Sequence, residues 1–141
     1  MSDEGEQLLT HVPSDWRQTC IETPSSNDAI ALVSCFLQTE GTGAELAIFQ
    51  QYESNDAMDA VYQETVDQFG VEPTDSCETG PNETTWSIDG EQFGRVQCAP
   101  QEVGIRFDWT DDRLQILSTL FDLEGDYGNT YGLWVDAGPI E

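Results

Sequence analysis

The chain has 141 residues, a usual length for one domain, and its 28 acidic residues against 4 basic ones give a formal net charge of −24. Such a charge excludes a nucleic-acid phosphate binder and opposes binding to an anionic membrane surface, whereas it permits cationic partners or divalent cations. Hydrophobic residues make up 38% of the chain, which is enough to build a packed core at this length.

Apolar segments are short throughout the chain. No run approaches the roughly 20 apolar residues that a membrane span needs, so we expect no direct membrane insertion of this segment. The N-terminus has no basic region followed by an apolar stretch, so it shows no secretory signal. Residues 1–6 are polar and acidic, which predicts a disordered N-terminus, and residues 7–141 are expected to form a single α+β domain.

Four cysteines, Cys20, Cys35, Cys77 and Cys98, are spaced too widely for a C-x-x-C zinc or redox motif. They allow three pairings, and we favour Cys20–Cys35 with Cys77–Cys98 because each pair then occupies an equivalent place in one half of the chain. Each bond would close a loop of about 15 to 20 residues, worth roughly 3 kcal/mol in the chain-entropy account. The alternative is four reduced, buried thiols in a cytosolic protein, but an even count favours an oxidising compartment.

The first half of the chain opens with a short helical pattern and continues with two strands. The apolar residues before Pro13 share one helical face. Residues 29–38 and 45–52 have the apolar patterns of strands, and the first of these is expected to be buried on both faces. A turn at residues 40–43 joins the two strands.

The segment that follows has the strongest helical signal in the chain. Apolar residues recur at helical spacing between residues 55 and 69, after a cap at Ser54 or Asn55, and Gly70 ends the helix. We expect the apolar stripe of this helix to pack on the core rather than to hold a ligand.

The second half of the chain predicts further strands and a short helix. Asp89-Gly90, between two strand-like segments, predicts a type I′ hairpin turn. Residues 103–109 alternate apolar and polar side chains, which is typical of a half-exposed strand. Residues 114–123 predict another strand, with a helix as the alternative. A last helix is expected over residues 126–137.

These elements predict a mostly antiparallel sheet of five to seven strands with helices packed on it and two disulfides. Residues 7–70 and 71–139 each contain cysteines borne on strands, a following strand or two, and an amphipathic helix. This similarity favours a pseudo-duplication, with the two halves as half-repeats.

Few residue sets in the sequence point to catalysis. The chain has a single histidine, His11, and no G-x-S-x-G elbow, which argues against a Ser-His-Asp triad and against a His-rich metal site. Among 28 acidic residues, two carboxylates will lie close together by chance, so the sequence cannot select a glycosidase-like pair. We therefore expect no enzyme activity and assign no catalytic residue.

An acidic segment near the C-terminus is the candidate metal site. Asp122, Glu124 and Asp126 stand at alternate positions, as at the start of an EF-hand calcium loop. Tyr127 and Leu133 stand where that pattern needs a Gly and a bidentate Glu. The alternative is a polar turn in which Asp126 caps the last helix. Apart from calcium, no cofactor is expected.

Aromatic and basic residues of the second half form the candidate ligand surface. Arg95 and Arg106 lie in predicted strands, where an exposed face crossed by tryptophans would bind a ligand. The tryptophans of this surface would be Trp86, Trp109 and Trp134. Alternatively, each of the four arginines pairs with a neighbouring carboxylate in so acidic a chain.

Several short motifs follow one another along the chain in an order that one group of proteins shares. They are Leu8-Leu9-x-His11-Val12-Pro13, Cys20, Cys35, Gly94-Arg95-x-x-Cys98, Trp109-Thr110-Asp111 and Leu133-Trp134-x-x-Ala137-Gly138-Pro139. In this order, over about residues 7–139, the chain resembles the extracytoplasmic C-terminal domains of bacterial membrane-anchored serine/threonine protein kinases and related uncharacterised secreted proteins. The kinase motifs themselves, a Gly-rich loop and H-R-D, are missing.

The resemblance implies a non-catalytic sensor or interaction domain outside the cytoplasm, whose parent protein is membrane-anchored. Its partner would be a small ligand, a cell-wall fragment or a protein. The alternatives are a secreted, disulfide-stabilised structural or inhibitor-like module, and a small hydrolase that uses carboxylates or calcium. A concave aromatic pocket near the three tryptophans would favour the sensor, whereas a cleft with two acids of separated pKa would favour the hydrolase.

Overall fold

Seven antiparallel strands form one sheet in the computed structural model of the chain, which describes residues 1–24, 28–37, 44–72 and 76–140. The strands are β1 (Cys20–Thr23), β2 (Ala31–Phe36), β3 (Ala44–Gln51), β4 (Asn82–Ile88), β5 (Glu91–Pro100), β6 (Ile105–Asp111) and β7 (Ile116–Asp122). Their spatial order is β1-β2-β3-β7-β6-β5-β4, so two meanders meet where β7 pairs with β3. The predicted turn at residues 40–43 lies outside the described residues.

Helices cover both faces of the sheet. They are α1 (Asp3–Leu9), the 3₁₀ helix Ser14–Thr19, α2 (Asn55–Phe69) and α3 (Tyr127–Val135). α1, the 3₁₀ helix and α3 pack against the larger core on one face, whereas α2 packs with a smaller core around Tyr52 and Leu117 on the other. The predicted α+β fold class is therefore confirmed. No described helix is long and apolar enough to cross a lipid bilayer.

The two halves of the chain share a general plan but not the placement of their helices. Residues 7–70 and 71–139 each contain a meander followed by a helix. α2 and α3 cover opposite faces of the sheet, so a rotation that superposes one meander on the other leaves the two helices apart. The pseudo-duplication stays a prediction.

The N-terminus is helical where the sequence predicted disorder over residues 1–6. α1 begins at Asp3 because the Ser2 hydroxyl accepts a hydrogen bond from the Gly5 N–H at 3.0 Å, which caps the helix. The Ser2 N–H in turn donates to the carboxylate of Glu22 in β1, at 2.7 Å. This contact joins segments 20 residues apart, and composition alone does not reveal it.

Both predicted disulfides are confirmed. Cys20 and Cys35 lie directly opposite each other in the register of β1 and β2 and are bonded. Cys77 is bonded to Cys98, which lies fully buried in β5. The first bond holds β1, a four-residue edge strand that is too short to show a sequence pattern of its own.

The helix and the hairpin with the clearest local signals are also confirmed. Ser54 caps α2 by accepting a hydrogen bond from the Ala57 N–H at 3.1 Å, and Gly70 ends it in the left-handed region, with φ 58°. Asp89 and Gly90 both have positive φ, 53° and 83°, as a type I′ turn requires.

Burial of two strands differs from the prediction. β6 is buried on both faces instead of one, since α2 lies over the side that carries its polar residues. On that side Asp108 is only 2% exposed. β2 was expected to be buried on both faces, but Phe36 is 53% exposed, because α2 lies over β6 and β7 rather than over β2.

A row of polar side chains crosses the sheet beneath α2. Glu83, Gln97, Asp108 and Thr119 occupy matching register positions on β4, β5, β6 and β7. The Asp108 carboxylate accepts a hydrogen bond from the Thr119 hydroxyl at 2.8 Å and pairs with Arg106 at 2.6 Å. The Gln97 amide is fully buried, yet neither its oxygen nor its nitrogen has a hydrogen-bond partner among the described residues.

We expect the Cys20–Cys35 bond to stabilise the fold mainly by restricting the unfolded chain. Replacing both cysteines by Ala should lower the free energy of unfolding by about 3 kcal/mol, measured by urea denaturation of the oxidised proteins. As a control, wild type and variant are compared after reduction, where the difference should fall to about 1 kcal/mol or less. Equal stability of the oxidised proteins would contradict this role.

The unpaired amide of Gln97 gives a second prediction about stability. Replacing Gln97 by Leu removes a buried polar group that has no partner, so the free energy of unfolding should stay unchanged or rise by about 1 kcal/mol. In the matched variant, Thr119→Val, a hydrogen bond to a charged group is lost, and stability should fall by about 2 kcal/mol. Urea denaturation compares the two variants. A loss of stability in Gln97→Leu as large as that in Thr119→Val would contradict the view that the buried Gln97 amide has no hydrogen-bond partner.

Candidate binding pocket

A cavity of about 440 Å³ lies between α3 and the end of the sheet formed by β4. Strands β4, β5 and β6 contribute lining residues, and α3 and the Gly138-Pro139 segment contribute others. The volume falls within the range of small-molecule sites in proteins. The cavity lies on the face of the sheet that carries the larger core, opposite α2.

Trp134 of α3 is the centre of an aromatic cluster in this cavity. Its ring centroid lies 6.3 Å from those of Trp86 and Trp109, with interplanar angles of 84° and 88°. The Tyr131 ring lies 5.4 Å from it. Edge-to-face pairs at such distances contribute roughly 0.5–1.5 kcal/mol each beyond area burial, so the cluster fixes α3 to the sheet and forms an aromatic wall.

The position of Trp86 depends on a glycine in the next strand. Trp86 pairs with Gly94 in the register of β4 and β5, and its indole N–H donates to the Thr110 carbonyl of β6 at 2.7 Å. A Cβ on Gly94 would lie 2.0 Å from that carbonyl oxygen. Only glycine therefore permits this close approach of β5 to β6, which brings the Thr110 carbonyl within reach of Trp86.

The two other indole nitrogens of the cavity differ in their hydrogen bonding. The Trp109 N–H donates to the carbonyl of Gly138 at 2.9 Å, which holds the C-terminal segment against the sheet. The Trp134 nitrogen is buried and has no hydrogen-bond partner among the described residues. Trp109 is therefore fixed by its own bond, whereas Trp134 is held by ring packing.

Arg113 lines the cavity as a cation whose charge is already balanced. Its guanidinium donates to both carboxylate oxygens of the buried Asp111, at 3.1 and 2.7 Å. It also stacks over the Phe93 ring, at 4.1 Å from the ring centroid. This bidentate pair confirms the expected pairing of an arginine with a neighbouring carboxylate.

The other two arginines predicted for the ligand surface lie on the opposite face, beneath α2. Arg95 pairs with Glu83 at 2.7 Å and lies over the ring of Tyr62, 4.8 Å from its centroid. Arg106 pairs with Asp108. Burial, reinforced by the negative charge of Glu83, raises the pKa of Tyr62. These arginines belong to a structural network rather than to the cavity, so their placement with the tryptophans was wrong.

The physical reason is strand alternation. Trp109 is separated from Arg106 by three positions on β6, and side chains at odd separations point to opposite faces of a sheet. The structure thus brings together Trp86, Trp109 and Trp134, and leaves Arg95 and Arg106 outside their group.

Two of the three predicted metal residues, Asp122 and Asp126, accept hydrogen bonds that fix the start of α3, whereas the Glu124 side chain is exposed. The buried Asp122 carboxylate accepts hydrogen bonds from the Thr130 hydroxyl and from the Glu124 N–H. Asp126 caps α3 by accepting a hydrogen bond from the Asn129 N–H at 3.0 Å, as the polar-turn alternative expected. Within the described part of the chain, no three His, Cys, Asp or Glu side chains come together as a group that could hold a metal ion.

Tyr131 and Arg113 also line the cavity, although neither was predicted for the ligand surface. A usable signal existed for Tyr131, because it precedes Trp134 by three positions and therefore shares its helical face. Arg113 lies in a turn after β6, and its position depends on the fold of β4 and β5 around it.

The cavity offers stacking surfaces and hydrogen-bonding groups rather than acid–base chemistry. Its lining combines three indoles and a phenol ring with the hydroxyl and amide groups of β4, and no Asp, Glu or His belongs to the lining among the described residues. Such a lining suits the binding and orientation of a ligand.

Comparison with known proteins gives no relative for the chain: no protein-family model, no curated protein and no solved structure matches it. Its function is therefore inferred from its own fold and cavity.

Proposed function

We propose that this chain is a non-catalytic binding domain that works outside the cytoplasm, as a sensor or interaction module of a membrane-anchored protein. The observation that carries the proposal is the aromatic cavity formed by Trp86, Trp109 and Trp134. The order of the sequence motifs favours a serine/threonine kinase as the parent protein. The ligand would be a small molecule, a cell-wall fragment or a segment of another protein.

The composition of the cavity supports binding over hydrolysis. A carboxylate-dependent hydrolase needs two acids beside the reacting bond. The Asp111 carboxylate, which pairs with Arg113 of the lining, is buried and bonded through both oxygens to Arg113. The described lining offers aromatic rings instead, which bind a ligand without changing it.

The disulfides support a location in an oxidising compartment. Both bonds are intact in the structure, and no described cysteine is free. Disulfides of this kind persist in secreted and cell-surface proteins and are rare where thiols are kept reduced. The acidic surface suits such a setting, since a high net charge keeps an exposed domain soluble.

Fragment binding observed by NMR tests the cavity as a ligand site. A library of aromatic, saccharide and quaternary-ammonium compounds should contain binders that shift the indole N–H resonances of Trp86, Trp109 and Trp134. The Trp16 resonance should stay in place, since Trp16 packs on Phe49 outside the cavity lining. Because Trp134 contacts the other rings, Trp134→Ala should lower the affinity of these fragments by about fivefold or more.

The matched control for that experiment is Trp16→Phe, which should leave fragment affinity unchanged. Fragments that bind elsewhere on the surface, or that bind Trp134→Ala as well as wild type, would refute the cavity as the binding site. Thermal unfolding of each variant distinguishes a lost site from a lost fold.

A thiol count tests the compartment. The protein is isolated from its native source in the presence of an alkylating reagent and is then analysed by mass spectrometry without reduction. We expect no alkylated cysteine, because all four are paired. Alkylation of all four cysteines would place the protein in a reducing compartment and remove the case for an extracytoplasmic role.

A further inference from the structure

The two edge strands of the sheet are protected to different degrees. β1 has four residues, is bonded to β2 through Cys20, and carries Glu22, which Ser2 covers. β4 has seven residues, and its outer part, residues 84–88 (TTWSI), contains neither a charge nor a proline. Proteins usually protect an open edge with charges, proline or a cover, because an exposed edge pairs with other strands. In a chain this acidic, a neutral edge is a surface suited to strand pairing.

Backbone hydrogen-bonding groups point outward along β4. The N–H of Arg95 donates to the Thr110 hydroxyl of β6, so Arg95 directs its backbone away from β4. Gly94, the preceding residue, therefore directs its backbone towards β4, where Trp86 is its partner. By the same alternation, the N–H and C=O of Thr85 lie on the outer side of the sheet.

The aromatic cavity opens onto this edge. Residues 84–88 all line it, although neighbouring side chains in a strand point to opposite faces. The cavity therefore extends along the backbone edge of β4. A segment paired with β4 would direct alternate side chains towards Trp86 and Trp134.

The charges around the β4 edge favour a basic partner. Glu78, Asp89 and Asp136 are exposed, and each directly follows a residue that lines the cavity. The guanidinium of Arg113 in the lining is balanced by Asp111. A second copy of the chain would bring a further net charge of −24 to this edge, whereas a basic segment would be attracted to it.

We propose that the β4 edge binds an extended, basic peptide segment of a partner protein as an additional antiparallel or parallel strand, with one side chain in the aromatic cavity. This rests on the cavity being the ligand site, and it names the class of partner. Main-chain hydrogen bonds to β4 supply affinity, and the cavity and the surrounding acids supply selectivity.

Selection from a library of random seven-residue peptides, displayed on phage, tests the proposal. Wild-type protein is the target, and Thr85→Pro serves for counter-selection because proline removes the outward N–H while an edge position tolerates its ring. We expect enriched peptides to be rich in Lys and Arg. Synthetic copies of these peptides should bind Thr85→Pro at least about tenfold more weakly than wild type. Their affinity for wild type should fall as salt is added.

Thr85→Val is the matched control, since it keeps the N–H and exchanges only the hydroxyl for a methyl group, so it should retain most of the peptide affinity that Thr85→Pro loses. A second measurement leaves the protein intact: N-methylation of alternate backbone amides in the best peptide should weaken binding about tenfold in one register and little in the other. Thermal unfolding of Thr85→Pro, together with the indole N–H resonances of Trp109 and Trp134 without fragment, shows whether the variant keeps the fold around the cavity.

The outcomes separate this inference from the proposed function. If fragments bind the cavity but no enriched peptide depends on the Thr85 N–H, the cavity stands and the strand-addition proposal is overturned. Enrichment of acidic peptides would overturn it as well. A wild-type dimer that Thr85→Pro dissociates would also overturn it, because the edge would then bind another copy of the chain. If fragments also fail to bind, both proposals fall.

Discussion

β6 is buried on both faces, and this constraint determines which side of the sheet holds the candidate tryptophans and which holds the arginines. One side of the strand carries Phe107 and Trp109 into the core beneath α1 and α3, and the other carries Asp108 beneath α2. A buried carboxylate is stable only when it is paired and hydrogen-bonded, and Arg106 and Thr119 provide those bonds. The sheet thereby separates two environments, an aromatic one that lines a cavity and a polar one that lies beneath α2.

Local signals in the sequence were sufficient for the elements that depend on nearest neighbours. The apolar spacing and caps of α2, and the Asp-Gly turn between β4 and β5, require contacts within a few residues and were confirmed. α1 and β1 depend on each other through Ser2 and Glu22, and the burial of β6 depends on where α2 lies. These are tertiary contacts, which no window of the sequence contains.

The candidate site shows the same division. Three tryptophans, Trp86, Trp109 and Trp134, come from three separate elements and meet in one cavity, as residue type alone had predicted. The arginines were placed with them by the same reasoning and lie on the opposite face. Alternation along β6 could have separated Arg106 from Trp109, but the register shift between Trp86 and Ser87, which sets Trp86 against Gly94 within the predicted hairpin, could not be deduced from the sequence.

The bond between Cys77 and Cys98 has a consequence for ligand entry. Cys77 belongs to the wall of the cavity, and Cys98 is fully buried in the sheet, so a covalent link runs from the rim into the interior. While this bond is intact, Cys77 stays beside β5. If the cavity binds a ligand as proposed, this part of its wall would be pre-organised, and little of its conformational entropy would be lost on binding.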